Sequence, residues 1–330
     1  MIAVCLLMLS GVLSAQGNSG NAFERVKEVQ ERNTAKLMAK QGVIGTAIGL
    51  NEQGRNTILV LLDREGIAGV PKELEGVPVQ PIITGRIEAL VKPAGKPGGS
   101  SGLTPTSKWP IPVPIGVSTG NAGECSAGTI GCRVKDGSGN VYALSNNHVY
   151  ALENSAPIGS TILQPGLYDT QCVLSGNNVI GTLASFVPIV FSGNNTVDCA
   201  MASTTTGMLG KATPPNIGYG TPKSATVAAR LNMAVQKFGR TTSLTKGTIT
   251  GVNATVNVGY SGGTATFVNQ TFVQSRRAFI KAGDSGSLLV TDPGRNPVGL
   301  LFAGNSSGTF AVANNIYTVL LELGVTIDGE

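Results

Sequence analysis

Histidine is almost missing from this 330-residue chain, which has one, as is tryptophan, also one; all aromatics together make 5%. A metal site built on several imidazoles is thereby excluded, and so is a basic surface with aromatics interleaved for stacking on bases. Charge is scarce as well: 13% of residues carry it, the net is +5, and Lys and Arg form no blocks. Nucleic acid is therefore not an expected partner. Residues 1–17, MIAVCLLMLSGVLSAQG, contain no charge, and their apolar run is too short to span a bilayer comfortably but has the length of a signal-peptide core. Removal near Ser14, Ala15 or Gly17 would send the chain out of the cytoplasm, with no stable membrane span.

Loss of that leader takes Cys5 with it and leaves Cys125, Cys132, Cys172 and Cys199. Their spacing contains no CxxC unit, and one histidine is too few to complete a metal site. Two disulfides are the expectation, with three pairings open.

Glycine and proline are abundant, 45 and 17 residues, as many short strands joined by tight turns require. The charged residues are uneven: residues 18–100 hold 20 of the 43, while 101–330, almost three times longer, hold 23. Two separately folded regions follow. In the first, Phe23, Val26, Val29, Leu37 and Met38 fall largely on one side of a helix that Asn21 could cap. Apolar runs at Val43–Ile48, Thr57–Leu62 and Val77–Ile83 complete a small α+β domain over 18–91. Prolines and glycines in 92–120 read as a linker. Beyond it, 128–134, 140–144, 233–238, 248–258, 264–273 and 287–290 read as strands separated by Gly/Asn/Ser/Asp turns, closed by a helix over Asn314–Leu323 with an Asn cap.

The strongest chemical signal is Ala282-Gly283-Asp284-Ser285-Gly286-Ser287. Glycines on both sides let the backbone turn sharply and present the N–H groups of Gly283 and Ser285 as an oxyanion hole. A serine hydroxyl needs a base that titrates near neutrality, and His148, at the end of an expected strand in LSNNHV, is the one such side chain. The imidazole in turn needs a buried carboxylate to hold its tautomer. Ten acidic residues lie beyond residue 100. Asp198 is embedded in apolar TVDCAMA; Asp169 reads as a solvated loop residue, Asp136 and Asp292 as turn residues, and Asp284 as support for the serine loop. No metal or organic cofactor is required.

The order His148, Asp198, Ser285 with the GDSG motif resembles the chymotrypsin-like (trypsin-fold) serine peptidases, over roughly residues 120–327. The resemblance implies two six-stranded antiparallel β-barrels with a C-terminal helix, and a protein or peptide substrate. SNNHV around the histidine and GDSGS around the serine resemble a divergent, bacterial-type branch. Val298–Gly304, with Phe302 and Gly304, looks like the strand that binds substrate backbone; Gly304 and Gly308 would wall the specificity pocket and Phe279 lie near its floor. With no acidic residue there, small or medium apolar side chains are the expected preference. By the same likeness residues 18 to about 90 would form an intramolecular pro-region that aids folding or blocks the cleft, or else an accessory domain that stays attached. The rival expectation is an inactive member of the fold, serving as an extracellular binding or adhesion module.

Overall fold

The computed structural model describes residues 6–89 and 102–330. The chain divides into two compact units, the first ending at Ile83 and the second running from Thr84 to Glu330.

The first unit comprises α1 (Leu6–Met38), β1 (Val43–Leu50), β2 (Asn56–Leu62), β3 (Glu73–Leu74) and β4 (Val77–Ile83). Strands β1 and β2 form an antiparallel hairpin, β4 adds in parallel to β2, and β3 pairs antiparallel with β4. The helix buries Val26, Val29 and Leu37, and Gln30 donates to Thr46 of β1. This is the expected α+β arrangement. Asn21, however, lies inside α1 rather than capping it, since the helix already runs from Leu6. Of the expected leader, residues 1–5 fall outside the described residues and 6–17 belong to α1. Among the described residues no helix is long and apolar enough to cross a membrane.

The second unit is mainly β and consists of two barrels. It begins with β5 (Glu88–Ala89). The first barrel contains β6 (Ser118–Asn121), β7 (Gly128–Thr129), β8 (Cys132–Lys135), β9 (Val141–Ser145), β10 (Thr161–Leu163), β11 (Val179–Phe186) and β13 (Ala200–Thr204); the short α2 (Asn147–Tyr150) follows β9, and β12 (Asn194–Asn195) precedes β13. β7 and β8 act as one strand bent at Ile130–Gly131, and pairing runs β6, β7/β8, β9, β13, β11, β10 and back to β6. The second barrel contains β14 (Ala234–Gly239), β15 (Ser243–Tyr260), β16 (Gly263–Gln274), β17 (Leu288–Thr291), β18 (Pro297–Gly304) and β19 (Phe310–Asn315). Its ring is β14, β15, β16, β19, β18, β17 and back to β14. Closure leaves neither barrel with a free edge. The chain ends with α3 (Ile316–Leu323), capped by the Asn315 side chain, and β20 (Thr326–Ile327), which returns to pair with β8 of the first barrel.

Three expectations need correction. Residues 92–101 of the expected linker lie outside the described residues, but its later part is core: Val113, Ile115 and Val117 are buried in the first barrel. Their period-two spacing alternates with Pro112, Pro114 and Gly116, and Val113 and Ile115 donate their N–H groups to Met208 and Ala212. Proline therefore occupies only the positions whose N–H the pairing does not use. Second, Cys125 pairs with Cys172, while Cys132 and Cys199 remain free thiols. Both pack in the first-barrel core as small apolar groups, and burial pushes the Cys132 thiol far above its ordinary pKa. Third, Asp169 is buried rather than solvated. It accepts from Ser118 and forms an enclosed ion pair with Arg240.

The disulfide closes a span of 47 residues, for which chain entropy predicts a stabilisation of about 4 kcal/mol. Replacing both partners with alanine is expected to lower the unfolding free energy by about 2–4 kcal/mol in a urea titration, an effect that reducing agent reproduces in the unmodified chain.

Candidate active site

Strand β9 delivers its last residues, Leu144 and Ser145, into the first-barrel core and hands the chain to α2, with Asn146 in extended conformation at the junction. The Asn146 side chain donates to the backbone oxygen of Asp198 at 2.7 Å. The Asn147 side chain donates to Val187 and to Asn154. These two amides fix the turn on which His148 stands.

Asp198 precedes β13 and is fully buried. Its Oδ2 lies 2.5 Å from His148 Nδ1, and its Oδ1 accepts the His148 backbone N–H at 3.2 Å. A third donor, the Tyr260 hydroxyl at the end of β15, reaches Oδ2 at 2.8 Å. With Nδ1 donating to a carboxylate, the neutral imidazole carries its proton there and presents Nε2 as an acceptor. Among the described residues Nε2 has no hydrogen-bond partner. The aspartate backbone is held from the second barrel: Asn314 Oδ1 accepts the Asp198 N–H, Asn314 donates to Gln270, and Gln270 donates to Thr196. Burial first, and then the Asp198 charge, raise the Tyr260 phenol well above its ordinary pKa, so its hydroxyl remains a donor.

Ser285 sits in a loop whose peptide planes are pinned from behind. Ala282 O accepts from the Thr241 hydroxyl at 2.7 Å, and Asp284 O accepts from Ser287 N–H at 3.0 Å and from its hydroxyl at 2.5 Å. In a trans peptide the N–H points opposite to the preceding C=O. The N–H groups of Gly283 and Ser285 therefore each point away from the partner that holds the preceding carbonyl. Gly283 has φ +95° and Gly286 +91°, and a Cβ on Gly286 would come within 2.3 Å of Ser145 Oγ and Thr129 O. Only glycine fits there.

As expected, Asp284 supports the loop. Its carboxylate accepts from the N–H groups of Thr241, Thr242 and Lys281 and from the Thr242 hydroxyl. It also pairs with Lys237 at 3.3 Å, both side chains being fully buried. Burial lowers the Lys237 pKa, and Asp284 opposes that shift.

The serine loop lies against the histidine segment. A Cβ on Gly128 would meet Val149, the residue after His148, at 2.6 Å and Ser285 O at 3.1 Å. The Ser285 hydroxyl donates to Phe302 O at 3.2 Å. Edge, stacked and tilted ring contacts run in turn from His148 through Tyr260 and Phe267 to Phe302. A cavity of about 280 Å³ opens onto His148 beside Leu152, Glu153, Ser155 and Ser261.

Of the expected substrate-binding residues, Phe302 is buried in that ring row and Gly304 ends β18. Ala303 and Gly304 pair antiparallel with Ala89 and Glu88 of β5, and Gly259 of β15 donates its N–H to Ile87 O at 2.9 Å. A short extended segment of the chain thus lies between β15 and β18, beginning one position along β18 from the carbonyl that Ser285 touches. Gly308, at φ +76°, accepts from Phe279 and Ile280 through its oxygen. Phe279 is fully enclosed in the second-barrel core with Val235, Ile249 and Leu289. Its ring is core packing. A larger groove of about 940 Å³, lined in part by Lys246, Arg276 and Arg277, contains none of the expected site residues.

Sequence reasoning missed Tyr260, Asn146 and Asn314. Tyr260 reads as the edge of a YSGG turn; nothing local marks it, since its role depends on the 18-residue length of β15, which carries it to Asp198.

No family profile and no curated protein sequence matches the chain. Among solved structures it is similar to a glutamic acid-specific serine protease, at 24% identity and a TM-score of 0.47, covering 65% of this chain and 100% of that one. It is also similar to Thermobifida fusca protease A, at 19% identity and a TM-score of 0.48 over 66% of this chain and 100% of that one. A Cellulomonas bogoriensis chymotrypsin is similar at 23% identity and 0.44, over 66% and 98%.

Removing one partner of a buried pair strands the other charge. Lys237→Met is expected to cost about 3–5 kcal/mol, read as a lowered midpoint in denaturant unfolding.

Proposed function

We propose that the chain is a secreted serine endopeptidase, with Ser285 as nucleophile, His148 as general base and Asp198 as its orienting carboxylate. The observation that carries this reading is the His148–Asp198 pair: a buried carboxylate at 2.5 Å from Nδ1 leaves Nε2 as an acceptor with no partner among the described residues, and the next residue, Val149, and the Ser285 backbone both approach Gly128. In the reaction the Ser285 hydroxyl turns from Phe302 O to Nε2 and attacks the scissile carbonyl carbon as His148 takes its proton. The oxyanion accepts from the N–H groups of Gly283 and Ser285, worth about 100- to 1,000-fold in rate per donor. His148 then protonates the leaving amine, and a water it activates releases the acyl group.

A peptide substrate fits the groove because the chain's own β5 already binds there as an extended strand, paired through backbone groups on both sides. Backbone pairing of this kind recognises any extended chain, leaving side-chain choice to the pockets. In that position residues 84–89 act as a substrate-like strap, and the N-terminal unit is a pro-region removed by cleavage at a bond C-terminal to Ala89. The Cys125–Cys172 disulfide suits an oxidising, extracellular destination.

The second reading, an inactive binding module on this fold, draws on the Ser285 hydroxyl donating to Phe302 rather than to His148. Fluorophosphonate labelling separates the two. The wild type is expected to label, with Ser285→Ala abolishing labelling and His148→Ala slowing it at least about 1,000-fold; absence of labelling in both intact and linker-cleaved protein would establish the binding module.

Intact purified protein is also expected to convert to a shorter form, with its new N-terminus C-terminal to Ala89. N-terminal sequencing and mass spectrometry check this, and the Ser285→Ala chain should remain uncleaved.

A further inference from the structure

The Asp198 carboxylate has an unusual set of partners. Two of its three side-chain donors among the described residues, Nδ1 and the backbone N–H, belong to His148 itself. They move with the histidine and cannot fix the pair as a whole. The third, Tyr260, comes from the other barrel, on the tip of the β15–β16 hairpin. That tip is tied down in turn by Glu153, whose carboxylate accepts from Ser261 N–H, Ser261 Oγ and Gly262 N–H at 3.1, 2.7 and 2.9 Å. Leu152, Glu153 and Asn154 are three consecutive non-glycine residues at positive φ, 50°, 52° and 75°, a costly conformation that brings Glu153 to the tip. The residue before Tyr260, Gly259, pairs with the segment lying in the groove.

Resting on the peptidase reading, the geometry points to Tyr260 as a positioning residue that anchors Asp198 and, through Gly259, makes alignment of the His148–Asp198 pair depend on a strand bound in the groove. A bound chain paired with Gly259 holds the hairpin tip in place; a small substrate that stops short of Gly259 does not. The Tyr260 ring also packs edge-on against His148 and Phe191 and stacks on Phe267. Tyr260→Phe keeps those contacts and removes only the hydroxyl.

The test compares wild type, Tyr260→Phe and Glu153→Ala, all in the linker-cleaved form, on a peptide long enough to pair with Gly259 and on a minimal ester. For Tyr260→Phe kcat on the long peptide is expected to fall about tenfold, the scale of one hydrogen bond to a charged group, with KM little changed and a smaller loss on the ester. Glu153→Ala, which leaves the hydroxyl in place, should show the same pattern more weakly. Because the chain has a single histidine, ¹⁵N-histidine labelling gives one imidazole spectrum. Its Nδ1-bound proton should exchange with water at least tenfold faster in Tyr260→Phe with the groove occupied by a peptide aldehyde. Equal losses on both substrates, a change confined to KM, or an unchanged Nδ1 proton would overturn the proposal. Failure of the peptidase reading is separate: the wild type itself would then not label with fluorophosphonate.

Discussion

A carboxylate with no access to water is the constraint around which this molecule is arranged. Asp198 is fully buried between two barrels, and a buried carboxylate without donors is costly. The first barrel supplies His148 and Asn146; the second supplies Tyr260 to the side chain and Asn314 to the backbone. Each barrel therefore completes hydrogen bonds that the other leaves open. The junction is specified by polar geometry as well as by apolar burial, and specification of that kind tolerates little sliding.

The serine loop repeats the same solution. Asp284 is also fully enclosed and gathers three backbone N–H groups, a hydroxyl and Lys237. It fixes the turn before Ser285 by tying Lys281 to Thr241 and Thr242. Two buried acids thus divide the labour. Asp198 holds the imidazole through Nδ1, and Asp284 holds the loop that carries Ser285.

Much of this was legible in the sequence. The period-two runs of the second barrel and the terminal helix stand where patterning puts them, and the amphipathic helix of the first unit is present but begins well before Asn21. The pairing of His148 with Asp198 follows from there being one imidazole and one acid in an apolar setting. What escaped had non-local causes. Val113, Ile115 and Val117 alternate correctly, but the prolines between them mask a barrel segment as a linker. Asp169 looks solvated because its partner, Arg240, is 71 residues away. Phe279 suggests a pocket floor by analogy, yet its ring is needed inside the second barrel. Tyr260 gives no local sign at all, since a side chain whose role is set by the reach of a hairpin can be assigned only once that hairpin is built.

The two unpaired thiols bear on how the chain must mature. Cys132 and Cys199 are enclosed in the first-barrel core while Cys125 and Cys172 form a bridge. Wherever an oxidant is present, the thiols of Cys125, Cys132, Cys172 and Cys199 on an unfolded chain can be shuffled into wrong partnerships, and nothing in their chemistry distinguishes them. Discrimination has to come from timing: the core must shut around Cys132 and Cys199 before an oxidant finds them. Correct cross-linking is therefore an outcome of folding order, and a chain that collapses slowly in that barrel exposes itself to scrambling.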